Sequence, residues 1–317
     1  MERSSRFVTG CLIAVCVAVL LIAGIGRPCV ARTVSGVSEL KCVPEDAAWV
    51  VHINWEAMQE ASWSDFAGGM LFANPEFREM LNEVREATGL NLLTDIHSVT
   101  FFGDWTAPED GVVRIEGDLP QDRLTALIKE APEYCERELE GHTVHSFLDE
   151  QGHTLHACFT DPNTVVVSQR SERLAASLRV LSGDSPAFAA PPSPEGTILD
   201  VRVMNLAEVK EEVREKMNSP IVDVVDSMQF QFGESSSEDS DDTAETFLLL
   251  TIKTYSEDEA SDATDITRGI IAAARLHFRE QSQVIEALSL FDVEQEDATV
   301  RIRWECPTES LIQGVQA

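Results

Sequence analysis

The chain has 317 residues, 44% of them hydrophobic, so it is long enough for one large domain or two small domains with a buried core. It contains 55 Asp and Glu residues against 24 Lys and Arg residues, which gives a formal net charge of −31 at pH 7. A surface this acidic repels nucleic acid and anionic lipid headgroups, and it argues against a function that depends on binding phosphate groups.

Residues 1–31 have the composition of a targeting segment. Arg3 and Arg6 precede an almost uninterrupted apolar run over Phe7–Ile25, and Cys29-Val30-Ala31 resembles a small-residue cleavage site. The apolar run is also close to the length that spans a bilayer. We therefore expect this segment to be either a signal peptide or a membrane anchor, and the protein to be exported: periplasmic, secreted, or tethered to the membrane by its N-terminus.

Residues 43–184 are predicted to form a first α+β unit. Apolar residues alternate along Ala47–Asn54, which indicates a strand. The helix that follows has well-marked ends, because Asn74 can cap its start, Pro75 suits its first turn and Gly89 can end it. The other predicted elements are strands at His97–Gly103 and Val112–Asp118, a helix at about Pro120–Ala131, strands at Gly141–Leu148, His153–Thr160 and Thr164–Ser168, and a helix at Glu172–Leu181.

A Pro-, Ala- and Ser-rich stretch over residues 185–196 is predicted to be a linker, and residues 197–310 are predicted to form a second α+β unit. In this second unit, Ser256-Glu257-Asp258-Glu259 has the spacing of a capping box ahead of a long helix through Phe278. The other predicted elements are a strand at Ile198–Met204, a helix at Leu206–Met217, strands at Val222–Gly233 and Thr246–Tyr255, a helical segment at about Gln281–Leu290 and a strand at Thr299–Glu305.

The order of elements is similar in the two halves: each runs approximately strand, helix, two strands, helix, strand. Repetition of a whole supersecondary plan indicates two copies of one architecture. We therefore predict an α+β fold made of two related units of mainly antiparallel sheet covered by helices, after the N-terminal signal or anchor segment.

Three features of the chain resemble a loose group of exported bacterial proteins that share a domain of unknown function. The first is the export leader. The second is Val43-Pro44-Glu45-Asp46-Ala47, a Pro-x-Asp-Ala sequence that leads straight into a strand, and the third is Gly117-Asp118-Leu119-Pro120 ahead of a Leu-rich helix. The resemblance implies an envelope or secreted protein of two related α+β halves, and it assigns no activity to any residue.

Four of the seven histidines lie in the three-strand segment that begins at Gly141. If the first hairpin closes symmetrically on Asp149–Gly152, His145 lies opposite His156, and the pair could hold a metal ion with Cys158 on the same face. Zinc needs three or four ligands, and the sequence shows no complete set. The two readings are therefore a metal site at His145 and His156, or two histidines on the surface of a sheet.

Six carboxylates fall within Glu234–Glu245, a run that either binds calcium or forms a solvated loop. Because this run lacks the glycine and the regular alternation of an EF-hand loop, we favour the solvated loop. Trp55 and Trp63, just after the first strand, either line a groove or pack in the core.

Arginines alternate with apolar residues in two predicted strands, at Arg202 and at Arg301 and Arg303. In a chain with this excess of carboxylates we expect the three side chains to pair with Asp or Glu. The alternative is a face of arginines that binds a ligand.

Beyond the leader the chain has four cysteines, Cys42, Cys135, Cys158 and Cys306. In an exported protein they permit up to two disulfides, and the sequence does not choose among the three possible connectivities. Their wide spacing argues against a zinc cluster.

Motifs for nucleophilic catalysis, such as Gly-x-Ser-x-Gly and His-Glu-x-x-His, do not occur, and neither does a phosphate-binding glycine loop. We therefore expect no catalytic residues and no cofactor. The expected function is a binding or structural role in the cell envelope, with another envelope protein or a ligand as partner and no nucleic acid. The alternative is a hydrolase that uses acidic residues, with or without a metal ion at His145 and His156.

Overall fold

The structure, a computed structural model, describes residues 40–64, 68, 74–104, 111–149, 152–189, 191–206, 224–235 and 244–316. The predicted leader, nearly all of the predicted helix Leu206–Met217 and most of the acidic run lie outside these residues. Within the described ranges the chain is a mixed α and β protein with antiparallel strand pairing and seven helices. None of the helices in these ranges is both long enough and apolar enough to cross a bilayer.

Helices separate groups of one to four consecutive strands along the chain. The strands are β1 (Trp49–Asn54), β2 (Ile96–Gly103), β3 (Val112–Gly117), β4 (Cys135–Leu139), β5 (His142–Leu148), β6 (Thr154–Asp161), β7 (Thr164–Ser168), β8 (Thr197–Val203), β9 (Val225–Ser235), β10 (Glu245–Thr254), β11 (Asp292–Glu296) and β12 (Thr299–Pro307). The helices are α1 (Trp55–Glu60), α2 (Pro75–Thr88), α3 (Gln121–Lys129), α4 (Ser171–Ser182), α5 (Glu257–His277), α6 (Ser282–Ser289) and α7 (Thr308–Gln316).

Contacts between residues group the described chain into two compact units. The first contains the residues up to Ala47 and His52–Pro192, and the second contains Ala48–Val51 and the residues from Ser193 onward. In the first unit, to which the second half of β1 belongs, the strands lie in the order β1-β2-β3-β7-β6-β5-β4, and in the second they lie in the order β8-β9-β10-β12-β11. In each unit the third strand therefore pairs with the last strand of the unit, which pairs in turn with the strand before it.

The ends of α2 and α5 are fixed by the residues that the sequence indicates. The Asn74 side chain accepts a hydrogen bond from the backbone N–H of Glu76, and Gly89 ends α2 with φ +79°. At the start of α5, Ser256 Oγ accepts from the Glu259 N–H (3.3 Å) and donates to the Glu259 carboxylate (3.0 Å). Both helices therefore begin with a satisfied cap, as the capping patterns predict.

The core of the first unit is built on its sheet. Leu124 and Ile128 of α3 are buried, and together with Ala157 and Val165 of the sheet they line a small apolar cleft of about 40 Å³. Trp55 is fully buried at the start of α1, and its indole N–H donates to the carbonyl of Leu93 (3.3 Å). Trp55 is therefore a core residue, which is the second of the two alternatives given for it.

A glycine at the end of β3 is required by a close approach of two backbone segments. A Cβ atom at Gly117 would lie 2.1 Å from the carbonyl oxygen of Asp95, which accepts a hydrogen bond from the Asp118 N–H (2.7 Å). A Cβ atom at Gly269, inside α5, would meet no such neighbour within 4 Å. Substitution by alanine should therefore destabilise the fold at Gly117 and stabilise it at Gly269.

We expect Gly117→Ala to lower the free energy of unfolding by about 2–4 kcal/mol, because the backbone must move to accept the methyl group. Gly269→Ala should raise it by about 0.5–1 kcal/mol, because alanine restricts the unfolded chain and favours the helix. Urea denaturation of both variants measures the difference. Equal effects of the two substitutions would contradict the close approach at Gly117.

Candidate functional site

A groove lies on one face of the second unit's sheet. It has a volume of about 580 Å³, and its floor includes Phe247 and Leu249 of β10. The register of the sheet places these residues beside charged residues of β12, since Phe247 lies opposite Glu305 and Leu249 lies opposite Arg303. An apolar floor therefore borders a charged wall within two adjacent strands.

The charged wall continues onto β11. Asp292 lies opposite Arg303, and Glu294 lies opposite Arg301, so the two strands place acidic and basic side chains side by side. Side chains alternate between the two faces of a strand, so the residues between these on β12 point the other way. Ile302 is one of them, and it is buried in a strand that α5 contacts.

The opposite wall is the segment 193–196, which leads into β8. Pro194 and Glu195 line the groove. The segment is held in place by the hydroxyl of Ser193, which donates to the Asp200 carboxylate (2.5 Å), and by Thr197 Oγ1, which donates to the Pro194 carbonyl (2.7 Å). The position of this wall therefore depends on Asp200.

Asp200 is the centre of a buried polar cluster. Its carboxylate is 4% exposed and accepts from the guanidinium of Arg202 (2.8 Å), which is 7% exposed. It also accepts from the side-chain amides of Gln229 (3.2 Å) and Gln231 (3.3 Å). A buried carboxylate that lacks donors is costly, so this full set of partners explains how Asp200 is tolerated inside the sheet.

The three strand arginines singled out in the sequence pair with carboxylates, as predicted. Arg202 pairs with Asp200, Arg301 Nη1 lies 2.7 Å from the Glu296 carboxylate, and Arg303 Nη2 lies 2.6 Å from the Glu305 carboxylate. The Arg301 and Arg303 side chains are 51% and 64% exposed. These last two pairs are therefore accessible to a ligand in the groove.

The groove has an excess of negative charge. Four carboxylates line it, those of Glu195, Asp292, Glu294 and Glu305, against the two guanidinium groups of Arg301 and Arg303. The wall and floor together can contact a ligand through apolar surface and through ion pairs. The sequence alone does not predict that these residues lie together, because β11 has no apolar alternation to mark it as a strand.

The predicted pairing of His145 with His156 is wrong. His145 lies opposite Ala157, and His156 lies opposite Ser146, so the register is shifted by one residue. A shift of one residue moves a side chain to the other face of the sheet. The two histidines therefore point to opposite faces, and they do not form the two-ligand metal site expected from the symmetric hairpin.

The shift originates at the turn between β5 and β6. Asp149 and His153 close it, because the Asp149 N–H donates to the His153 carbonyl (2.8 Å) and the His153 N–H donates to the Asp149 side chain (2.8 Å). This leaves three residues in the loop instead of four, and the last of them, Gly152, has φ +82°. A left-handed glycine at this position is typical of three-residue hairpin loops.

Each of the two histidines has a different hydrogen-bond partner. The His145 Nδ1 atom is 3.0 Å from the hydroxyl of Tyr134, and the His156 Nδ1 atom is 2.7 Å from Ser146 Oγ. Burial lowers the pKa of both imidazoles below the usual value of 6.5, and Arg137 adds to the effect at His156. Across the residues that the structure describes, no three His, Cys, Asp or Glu side chains are placed to bind one metal ion.

The four cysteines beyond the leader are free thiols. Burial raises the pKa of Cys42 to about 12 and that of Cys158 to about 11, so both thiols stay protonated at neutral pH. A thiol held in its protonated form is a poor nucleophile and a poor metal ligand. Cys158 is fully buried and belongs to the core of the first unit.

The lowered pKa values predict how stability depends on pH. The unfolded chain takes up protons at histidine below about pH 6.5, whereas the folded chain resists protonation of His145 and His156 until a lower pH. The contribution of these two histidines to the free energy of unfolding should therefore fall as the pH drops from 7 to 5. His156→Gln should reduce this loss, whereas the exposed-site control His277→Gln should not. Denaturant titrations at several pH values measure the slopes, and equal slopes for the two variants would contradict the assignment.

The buried pair Asp200–Arg202 and the exposed pair Glu305–Arg303 can be tested with matched substitutions. Asp200→Asn should lower the free energy of unfolding by about 3 kcal/mol, because it removes the charged partner of a buried guanidinium. Glu305→Gln should lower it by less than about 1 kcal/mol, because water screens the exposed pair. Thermal and urea unfolding report both values. A Glu305→Gln effect as large as that of Asp200→Asn would be inconsistent with this difference in burial.

No family model and no curated protein matches the chain. Among solved structures, crystal form I of TP0453 is similar with a TM-score of 0.45 and 11% sequence identity, covering 87% of this chain and 96% of that one. Crystal form IV of TP0453 gives a TM-score of 0.46 and 12% identity, covering 88% and 96%. The chain therefore has distant similarity to these structures, and a similarity at this level transfers no function to it.

Proposed function

We propose that the protein is an exported, non-catalytic binding protein of the cell envelope, and that its ligand occupies the groove of the second unit. The observation that carries this proposal is the groove itself. Its volume of about 580 Å³ is in the range of ligand sites, and it combines the apolar floor at Phe247 and Leu249 with charged walls on both sides. The apolar floor supplies contact area for a ligand, and the charged walls can fix the ligand's orientation.

The segment 193–196 supports a binding role because it is positioned by buried contacts. Ser193 is tied to Asp200, and Asp200 is held by four donors from three other side chains. A wall fixed in this way costs little ordering entropy when a ligand binds. The groove is therefore suited to bind without rearrangement of this wall.

The proposal includes export and the duplicated architecture. The apolar segment Phe7–Ile25 supports export, either by cleavage or as a membrane tether. The shared strand order of the two units, with the third strand paired to the last, supports their origin as two related copies. The resemblance to exported bacterial proteins with two related α+β halves agrees with both.

The alternative of a metal-assisted hydrolase depends on a shared face for His145 and His156. Their partners Ala157 and Ser146 place them on opposite faces. We therefore do not propose the metal-assisted reaction.

Site-specific crosslinking in intact cells tests the binding role. A photoreactive amino acid in place of Leu249 should form a covalent adduct with one envelope component, which mass spectrometry then identifies. The same amino acid in place of Tyr255, which is 49% exposed and does not line the groove, is the matched control. Adducts at position 249 and none at position 255 support the proposal. Absence of any adduct at position 249, with the variant folded and exported, would refute a ligand in the groove.

A further inference from the structure

We propose that the ligand of this groove is an extended, basic segment of polypeptide, with Lys or Arg at every second residue. This inference rests on the proposed function, since it names the class of ligand for the same site. Three features of the groove support it: its charges, their spacing and its apolar floor.

The charges of the groove favour a cation. Arg301 and Arg303 are already compensated, by Glu296 at 2.7 Å and Glu305 at 2.6 Å. Asp292 and Glu294 are exposed, and within the part of the chain that the structure describes neither carboxylate is in an ion pair. Two carboxylates outside any described ion pair therefore remain on the wall, beside arginines that already bind other carboxylates. They belong to a chain of net charge −31 that attracts basic partners over a distance.

The spacing of these carboxylates matches an extended chain. Asp292 and Glu294 are two residues apart on β11, so their side chains lie on one face at a separation of about 6.5–7 Å. Alternate side chains of any extended peptide have the same separation. A basic peptide parallel or antiparallel to β11 can therefore place successive cations against successive carboxylates.

The apolar floor of the groove suits the methylene stems of lysine and arginine side chains. Lys and Arg cover apolar surface with their methylene stems while their charged ends stay in water. Phe247 and Leu249 offer that surface on the other side of β12 from Asp292 and Glu294, two strand spacings or about 9.5 Å away, so a peptide lying across the groove can contact both. Because the groove combines both features, a peptide with apolar residues between its cations fits it better than an isolated cation.

Fluorescence anisotropy with the purified full-length chain tests this inference. The probe is a labelled hexapeptide of alternating lysine and valine, and the same peptide with glutamate in place of lysine is its control. Wild-type protein should bind the lysine peptide and not the glutamate peptide. The double variant Asp292→Asn and Glu294→Gln should bind the lysine peptide about tenfold more weakly, because two charge pairs are lost.

A second double variant separates a specific site from general attraction to an acidic protein. Asp262→Asn and Asp265→Asn remove the same amount of charge from exposed positions of α5, away from the groove. This variant should change the affinity less than about twofold. Equal weakening by the two double variants, or no binding of the lysine peptide to wild-type protein, would overturn the inference. Spermine that competes with the peptide and shows the same loss in the groove variant would assign the site to small polycations instead.

The outcome is distinguishable from failure of the proposed function. If the crosslink at position 249 forms in cells and the lysine peptide does not bind, the ligand class is wrong and the binding role stands. If neither is observed, both are wrong.

Discussion

The register of the antiparallel strands is the constraint on which the rest of this structure depends. One residue of shift moves every side chain of a strand to the other face. In the first unit, the register set by the closure of Asp149 on His153 separates His145 from His156. In the second unit, the register of β10, β11 and β12 brings apolar and charged side chains into one groove.

The sequence predicts much of the fold where local chemistry determines it. The ends of α2 and α5 follow from side chains that cap their own helix, and the alternation in β12 follows from burial on one face. In β8, by contrast, the polar residues Asp200 and Arg202 are buried, and the apolar residues that alternate with them are only half-buried. The strands β4 and β11 escape prediction because both are rich in charged residues, as in Cys135-Glu136-Arg137-Glu138-Leu139, and have no apolar alternation. Their strand conformation comes from pairing with a neighbour, which is information outside the segment.

The sequence predicts individual features of the candidate site but not how they are arranged. The pairing of Arg202, Arg301 and Arg303 with carboxylates follows from the abundance of Asp and Glu. The position of Asp200 beneath the segment 193–196 cannot be predicted from composition. It depends on hydrogen bonds from Gln229 and Gln231 of the adjacent strand. The hairpin loop shows the same limit, since one left-handed glycine, Gly152, decides between a loop of three and a loop of four residues.

The two outermost strands share one property that bears on solubility. β4 is the last strand of the first unit's sheet and β11 is the last strand of the second, and both present rows of charged side chains. An outermost strand has backbone groups that can pair with a strand of another molecule, and charged side chains oppose such stacking. The charged edge of one copy therefore disfavours strand pairing with the next copy, which opposes growth into aggregates in concentrated solution.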